Sequence, residues 1–158
     1  MSVAILGVAF DPVTMPEAVD WIERMISSRR PHYVVTANVD FIVQAQKDLE
    51  LHRTLLDAHL VLCDGTPLVW ASRLLGNALP ERVAGADLVP QLIRLAADKG
   101  YRLFFLGATE ESANQAMENL RRQFPGLPVD SYSPRFKPLL EMDHDEIRRR
   151  IAAVKPDV

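Results

Sequence analysis

Asp64 is the side chain in this sequence best placed to move a proton. It follows the apolar run Leu60-Val61-Leu62-Cys63 and precedes Gly65, so a carboxylate stands where a buried strand stops. A carboxylate in that position can take a proton from a hydroxyl as the hydroxyl attacks an electrophilic carbon. Two other apolar runs stop on polar or glycine residues. His32-Tyr33-Val34-Val35-Thr36 leads into Ala37-Asn38-Val39-Asp40, and Tyr101-Arg102-Leu103-Phe104-Phe105-Leu106 leads into Gly107-Ala108-Thr109-Glu110. Thr36 and Asn38 add polar side chains at the end of the first of these runs. Gly107 followed by Thr109 has the form of a phosphate-facing strand–turn–helix, although it is not a full GxGxxG. Arg82, in the polar loop Pro80-Glu81-Arg82-Val83-Ala84-Gly85-Ala86-Asp87, has the fork of donors that suits a phosphate.

Each of these residues also has a plainer reading. Asp64-Gly65 makes a simple turn, with Asp64 capping the helix that starts near Thr66 or Pro67. Thr36 and Asn38 fit a local side-chain-to-backbone turn, and Asp40 fits a cap for the following helix. A lone loop arginine is usually solvated. Trp70, between Val69 and Ala71, reads as core rather than as a platform for a sugar ring. His32, His52, His59 and His144 are scattered without metal-ligand spacing, so no metal site is expected, and His32 and His59 read as structural. Arg121-Arg122 and Arg148-Arg149-Arg150 read as solvated helix faces.

The elements that must position these residues follow from periodicity and punctuation. Val3 to Val8 predicts one short strand. Thr14-Met15-Pro16-Glu17 predicts a helix start, with Thr14 as cap, Glu17 at the capping-box position and Pro16 in the first turn. Arg29-Arg30-Pro31 ends that helix. Strands are expected at 32–36, 60–62, 101–106 and 129–132. Helices are expected at 41–47, 49–57, 67–75, 87–99, 110–124 and 143–154, with Gly76 and Gly100 as stops. Ala113, Ala116, Met117, Leu120 and Phe124 form the expected inner face of the helix after Thr109. The closing Pro156-Asp157-Val158 reads as the first step into a further buried strand. Strands alternating with helices predict an α/β, Rossmann-like fold, a mainly parallel sheet with helices on both faces. In such a sheet ligands bind beyond the carboxyl ends of the strands, where helix N-termini offer free N–H groups. Parallel strands would put Thr36, Asn38, Asp64 and Gly107 on one edge.

Composition narrows the class of function. The chain of 158 residues suffices for one domain with a core, and its net charge of −3 gives no basic face for nucleic acid. No stretch approaches the roughly 18 apolar residues of a membrane span. The N-terminal residues lack the basic and apolar regions of a secretion signal. Cys63 is the only cysteine, which fits a reducing compartment. A cytoplasmic protein with peripheral membrane contact at most is the expectation.

Several ungapped blocks resemble the WecG/TagA/CpsF glycosyltransferases. They are Thr36-Ala37-Asn38-Val39-Asp40-Phe41, Asp64-Gly65-Thr66-Pro67-Leu68-Val69-Trp70, Pro80 to Leu88, Gly100 to Gly107, and the closing Lys155-Pro156-Asp157. The resemblance covers essentially the whole chain in order. It implies inverting transfer of a sugar, typically N-acetylmannosamine, from a UDP-activated donor to a lipid-linked N-acetylglucosamine diphosphate. The setting it implies is the inner face of the cytoplasmic membrane, in wall teichoic acid, enterobacterial common antigen, capsule or exopolysaccharide synthesis. It implies no metal or other cofactor, and association into homo-oligomers in some members. Carried over by position, the catalytic aspartate falls on Asp64, the Thr-x-Asn pair on Thr36 and Asn38, and the loop arginine on Arg82, with Gly107 at a further substrate-facing turn. Family members continue past Lys-Pro-Asp into another strand, a glycine-rich loop and a membrane-contacting tail. The expectation is therefore a single glycosyltransferase domain over 1–158 that lacks those parts. Two alternatives stay open: a domain that binds a nucleotide-sugar without turnover, and a non-catalytic α/β scaffold.

Overall fold

A computed structural model describes residues 2–158, with only the backbone at Leu139. The protein is α/β and Rossmann-like. The order is β1 (Val3–Ile5), β2 (Val8–Phe10), α1 (Met15–Ser27), β3 (Val34–Ala37), α2 (Val39–Ala45), α3 (Leu49–Leu56), β4 (Leu60–Cys63) and α4 (Thr66–Leu74), then α5 (Gly85–Lys99), β5 (Leu103–Leu106), α6 (Glu110–Gln123), β6 (Val129–Tyr132) and α7 (His144–Val154). The chain divides into two compact units, one ending at Gln91 and one running from Leu92 to Val158.

In the first unit the expected single strand at Val3 to Val8 is instead a tight antiparallel hairpin, with Ile5 opposite Val8. Leu6 and Gly7 both take positive φ, 49° and 83°, the turn conformation that matches the twist of two paired strands. Gly7 inside an apolar run was the signal for that turn. Val3, Ile5, Val8 and Phe10 alternate inward and join Ala37, Ile42, Leu55, Val61, Cys63 and Leu68 in one core cluster. β3 and β4 are parallel neighbours in the register Val34–Leu60 to Ala37–Cys63. Parallel pairing requires a crossover, here α2 and α3. All four residues of β4 are buried, as expected of a strand covered on both faces. Its second edge is taken by Asp11, whose amide donates to the Val61 carbonyl (2.9 Å) and whose Oδ2 accepts from the Val61 amide (2.9 Å).

Two local expectations are corrected here. Trp70 is 62% exposed rather than in the core. α4 buries Leu68, Val69 and Ser72, and a helix that turns those positions inward turns position 70 outward. Asp40 is not the cap of α2; Asn38 is, and Asp40 lies within the first turn.

In the second unit β5 and β6 are parallel, with Leu103 opposite Val129 and Leu106 opposite Tyr132, joined by α6. On α6 Met117 is buried as expected, while Ala116 is exposed. Arg148, Arg149 and Arg150 are solvated on α7 and paired with Asp145 and Glu146. On the edge of β5 away from β6, the Val158 amide donates to the Arg102 carbonyl (3.1 Å) and the Phe104 amide donates to the Val158 carbonyl (2.9 Å). That is the hydrogen-bond pattern of a parallel bridge, although residues 156–158 form no strand and Val158 is exposed.

Candidate functional site

The parallel register of β3 and β4 brings their carboxyl ends together. Ala37 and Cys63 are opposite one another, and the Asp64 amide continues the ladder by donating to the Ala37 carbonyl at 2.9 Å. Thr36, Asn38 and Asp64 therefore meet at one edge, as the sequence predicts.

The loop that carries Arg82 is fastened to the same edge at several points. The Val83 amide donates to the Cys63 carbonyl (2.8 Å), so the loop docks on the last residue of β4. The Leu79 amide donates to Oγ of the fully buried Ser72 (2.9 Å), which itself donates to the Val69 carbonyl (2.7 Å). Glu81 Oε1 accepts from the Met15 amide at the start of α1. These anchors place Arg82 beside Asp64, with Nη1 at 3.7 Å from Oδ1. Arg82 Nη2 contacts Oδ2 of Asp87.

Asp64 does not cap α4. The N-cap of that helix is Gly65, without a side-chain bond. Asp64 Oδ2 instead accepts from the amide of Gly85, the first residue of α5, at 3.2 Å. The plain capping role exists, but toward a helix 21 positions away. This leaves Oδ1 as the oxygen turned toward Arg82. Gly85 packs tightly on Thr36: a Cβ built on it would lie 3.0 Å from Thr36 Oγ1. A side chain there would require Thr36 to give way by a few tenths of an ångström for the start of α5 to stay this close to β3. Asn38 Oδ1 accepts from the Phe41 amide (3.0 Å), so the local turn expected for Asn38 is present and occupies that oxygen.

The neighbouring thiol is no rival nucleophile. Burial pushes the Cys63 thiol above its ordinary range, an effect that a backbone hydrogen bond with Gly65 only partly offsets. A protonated buried thiol attacks poorly. Among the described residues no three His, Cys, Asp or Glu side chains gather in a way that could hold a metal ion. His32 and His59 precede β3 and β4, at the end of those strands away from Asp64. Their rings stand edge to face at 4.5 Å.

Gly107 belongs to the second unit, where it ends β5 with φ 113°. Its amide donates to the Tyr132 carbonyl (3.0 Å) and its carbonyl accepts from Ser133 Oγ (3.1 Å). Ala108 follows at φ 62° and Thr109 caps α6 through the Ser112 amide. Glu110 and Glu111 fill the first turn of α6. Their charge complements the helix dipole and competes with any anion at that N-terminus.

Sequence reasoning missed three supports of this site, namely Ser72, Gly85 and Asp87. The glycine stood in a matched block, yet nothing local shows that β3 would pass beside it.

The pattern of the Glycosyl transferase WecG/TagA/CpsF family matches residues 3–158. An N-acetylglucosaminyldiphosphoundecaprenol N-acetyl-beta-D-mannosaminyltransferase of Bacillus spizizenii is 33% identical over 126 residues, which is 80% of this chain and 48% of that protein. The protein of the same name from Staphylococcus aureus (strain NCTC 8325 / PS 47) is 27% identical over 157 residues, 98% of this chain and 60% of that protein. The chain thus spans about half to three-fifths of the length of the curated relatives it matches.

Proposed function

From its place in the WecG/TagA/CpsF glycosyltransferase family, to which this chain belongs, we propose that it is the sugar-transferring domain of an inverting enzyme with Asp64 as the catalytic base. The donor is a UDP-activated hexosamine such as UDP-N-acetylmannosamine. The acceptor is a lipid-linked N-acetylglucosamine diphosphate, in keeping with the names of the relatives. Residues 1–158 act as one glycosyltransferase domain.

In the step, the acceptor hydroxyl oxygen forms a bond to the anomeric carbon while the bond from that carbon to the diphosphate oxygen breaks on the opposite face. The configuration inverts, the hydroxyl proton passes to Asp64, and the electron pair leaves with UDP. A base contributes about 10²- to 10⁴-fold to such a reaction. The observation that carries the reading is the carboxylate at the end of β4. One of its oxygens is fixed by the Gly85 amide, and the other lies 3.7 Å from Arg82. Arg82, 44% exposed, supplies positive charge for the departing diphosphate. Thr36 and the amide of Asn38 hold sugar or phosphate oxygens. Gly107 and the turn after it form a further substrate contact, although Glu110 and Glu111 weigh against phosphate there. None of these roles calls on a metal ion or other cofactor.

The acceptor lipid puts the reaction at a membrane surface. Among the described residues no helix is long and apolar enough to cross one; the contact proposed is peripheral, at the inner face of the cytoplasmic membrane. The product would serve teichoic acid or another cell-surface polysaccharide, and association into homo-oligomers accompanies this role.

The test is a transfer assay with UDP-N-acetylmannosamine and a short-chain lipid-linked acceptor, alongside calorimetric titration with UDP. Asp64→Asn abolishes transfer and leaves UDP affinity near wild type. A variant that transfers at a near-normal rate removes Asp64 from the role of base. UDP binding without transfer in the unaltered chain would favour a nucleotide-sugar-binding domain, and no binding at millimolar UDP would favour a scaffold.

A further inference from the structure

Arg82 lies between two carboxylates and treats them differently. Its Nη2 is in direct contact with Asp87 Oδ2, while its Nη1 stands 3.7 Å from Asp64 Oδ1, beyond hydrogen-bond distance. Both carboxylates sit on fixed elements. Asp64 ends the buried strand β4 and is held by the Gly85 amide. Asp87 lies in the first turn of α5, where the helix dipole favours a negative charge. The segment carrying Arg82 is held too, by the Val83 amide on the Cys63 carbonyl and by the Glu81 carboxylate, which accepts from the Met15 amide. Only the side chain of Arg82 is free to choose between partners. A guanidinium released from Asp87 would close on the nearer remaining carboxylate and form a direct pair with Oδ1.

We propose that Asp87 is a positioning residue that holds Arg82 off Asp64, so that Oδ1 stays open to an acceptor hydroxyl and the guanidinium stays turned to the leaving diphosphate. The inference rests on the reading of Asp64 as base and Arg82 as the cation at the site, and it assigns Asp87 a part in the same step. Asp87 touches neither substrate; it acts through Arg82. A helix-staple role alone would make no such distinction between the two oxygens of Asp64.

The deciding experiment follows the Asp64 carboxyl carbon by NMR at fixed neutral pH and about 0.5 M salt, where direct fields between exposed charges are largely screened. The proteins are wild type, Asp87→Asn, Arg82→Gln and the double variant. The expected result is a clear displacement of the Asp64 signal in Asp87→Asn and no further displacement when Asp87→Asn is added to Arg82→Gln. Such a cycle isolates the route through Arg82. An equal displacement in both backgrounds, or none in either, overturns the proposal. This readout does not depend on turnover, so it can fail while Asp64 remains the base, and it can succeed even if the transfer assay removes Asp64 from that role. In kinetics, Asp87→Asn is expected to lower kcat about tenfold and to change the donor KM less than about twofold, with Asp87→Glu recovering most of the loss. A lowered melting temperature with unchanged kcat overturns it as well.

Discussion

Asp64 caps a helix it does not precede. Its Oδ2 accepts from the Gly85 amide at 3.2 Å, tying the end of β4 to the first residue of α5. The same carboxylate is therefore both a structural acceptor and the proposed base, and two substitutions separate the roles. Asp64→Asn keeps an oxygen for Gly85, so stability should stay within about 0.5 kcal/mol of wild type, because the half-exposed contact with Arg82 adds little. Asp64→Ala removes the cap and should cost about 1 kcal/mol. Denaturant titration of the two variants checks this. Equal losses in both would mean that the Gly85 bond does not hold α5.

Gly85 itself is under a steric demand. An added Cβ would sit 3.0 Å from Thr36 Oγ1, and Thr36 is β-branched within β3, so its rotamer yields little. Gly85→Ala should therefore destabilise by about 1–3 kcal/mol, despite the roughly 0.5–1 kcal/mol that alanine gains over glycine in a helix. In a Thr36→Ala background the clash is relieved and the alanine gain should show, so the sign of the effect reverses. Thermal melts of the four proteins test the coupling. A Gly85→Ala protein as stable as wild type would show that Thr36 gives way easily.

Much of this arrangement was legible in the sequence because it depends on local signals. The strand ends at Thr36, Asp64 and Gly107 followed from apolar runs stopped by polar or glycine residues. The caps at Thr109 and Asp143 followed from side chains placed before helical periodicity. The shared edge of Thr36, Asn38 and Asp64 was expected on condition of parallel strands, but the pairing and register that bring it about were not legible. Whether β3 pairs with β4 decides that Asn38 and Asp64 share an edge, and the docking of Val83 on Cys63 decides that Arg82 joins them. Neither leaves a mark on the residues concerned. Trp70 shows the converse failure. Its type favours burial, yet Leu68, Val69 and Ser72 claim the inner face of α4 and fix its direction.

The start of α1 carries a pH-dependent contact. Glu17 accepts from the Thr14 amide (2.7 Å) and from Thr14 Oγ1 (2.8 Å). The backbone bond first, and the hydroxyl bond second, hold its carboxyl below the ordinary value of 4.5. A depressed carboxyl stabilises the fold above its unfolded-state pKa, and that contribution disappears as pH falls through the folded-state pKa. The stability difference between wild type and Glu17→Gln should therefore be constant at neutral pH and shrink as pH falls below about 4.5. Urea midpoints measured from pH 7 to pH 3 check it. A difference that grows on acidification would contradict the capping arrangement.

Ser72 is the fully buried polar side chain beneath the Arg82 loop. Its Oγ accepts from the Leu79 amide and donates to the Val69 carbonyl, so it joins the interior of α4 to the segment that leads into Arg82. Ser72→Ala leaves the Leu79 amide buried without a partner, and an unmet donor of that kind costs about 1–3 kcal/mol. The loss should be local as well as global, because the Leu79 and Val83 amides hydrogen-bond this loop to α4 and β4. Amide exchange at Leu79 should accelerate most, and Val83 should follow. Amides of β3 and β4 should change only by the fall in global stability. The loosened loop would no longer hold Arg82 near Asp64, so transfer should weaken more than the stability loss alone explains. A Ser72→Ala protein that keeps slow exchange at Leu79 would show that another acceptor takes over, and that the loop does not depend on Ser72.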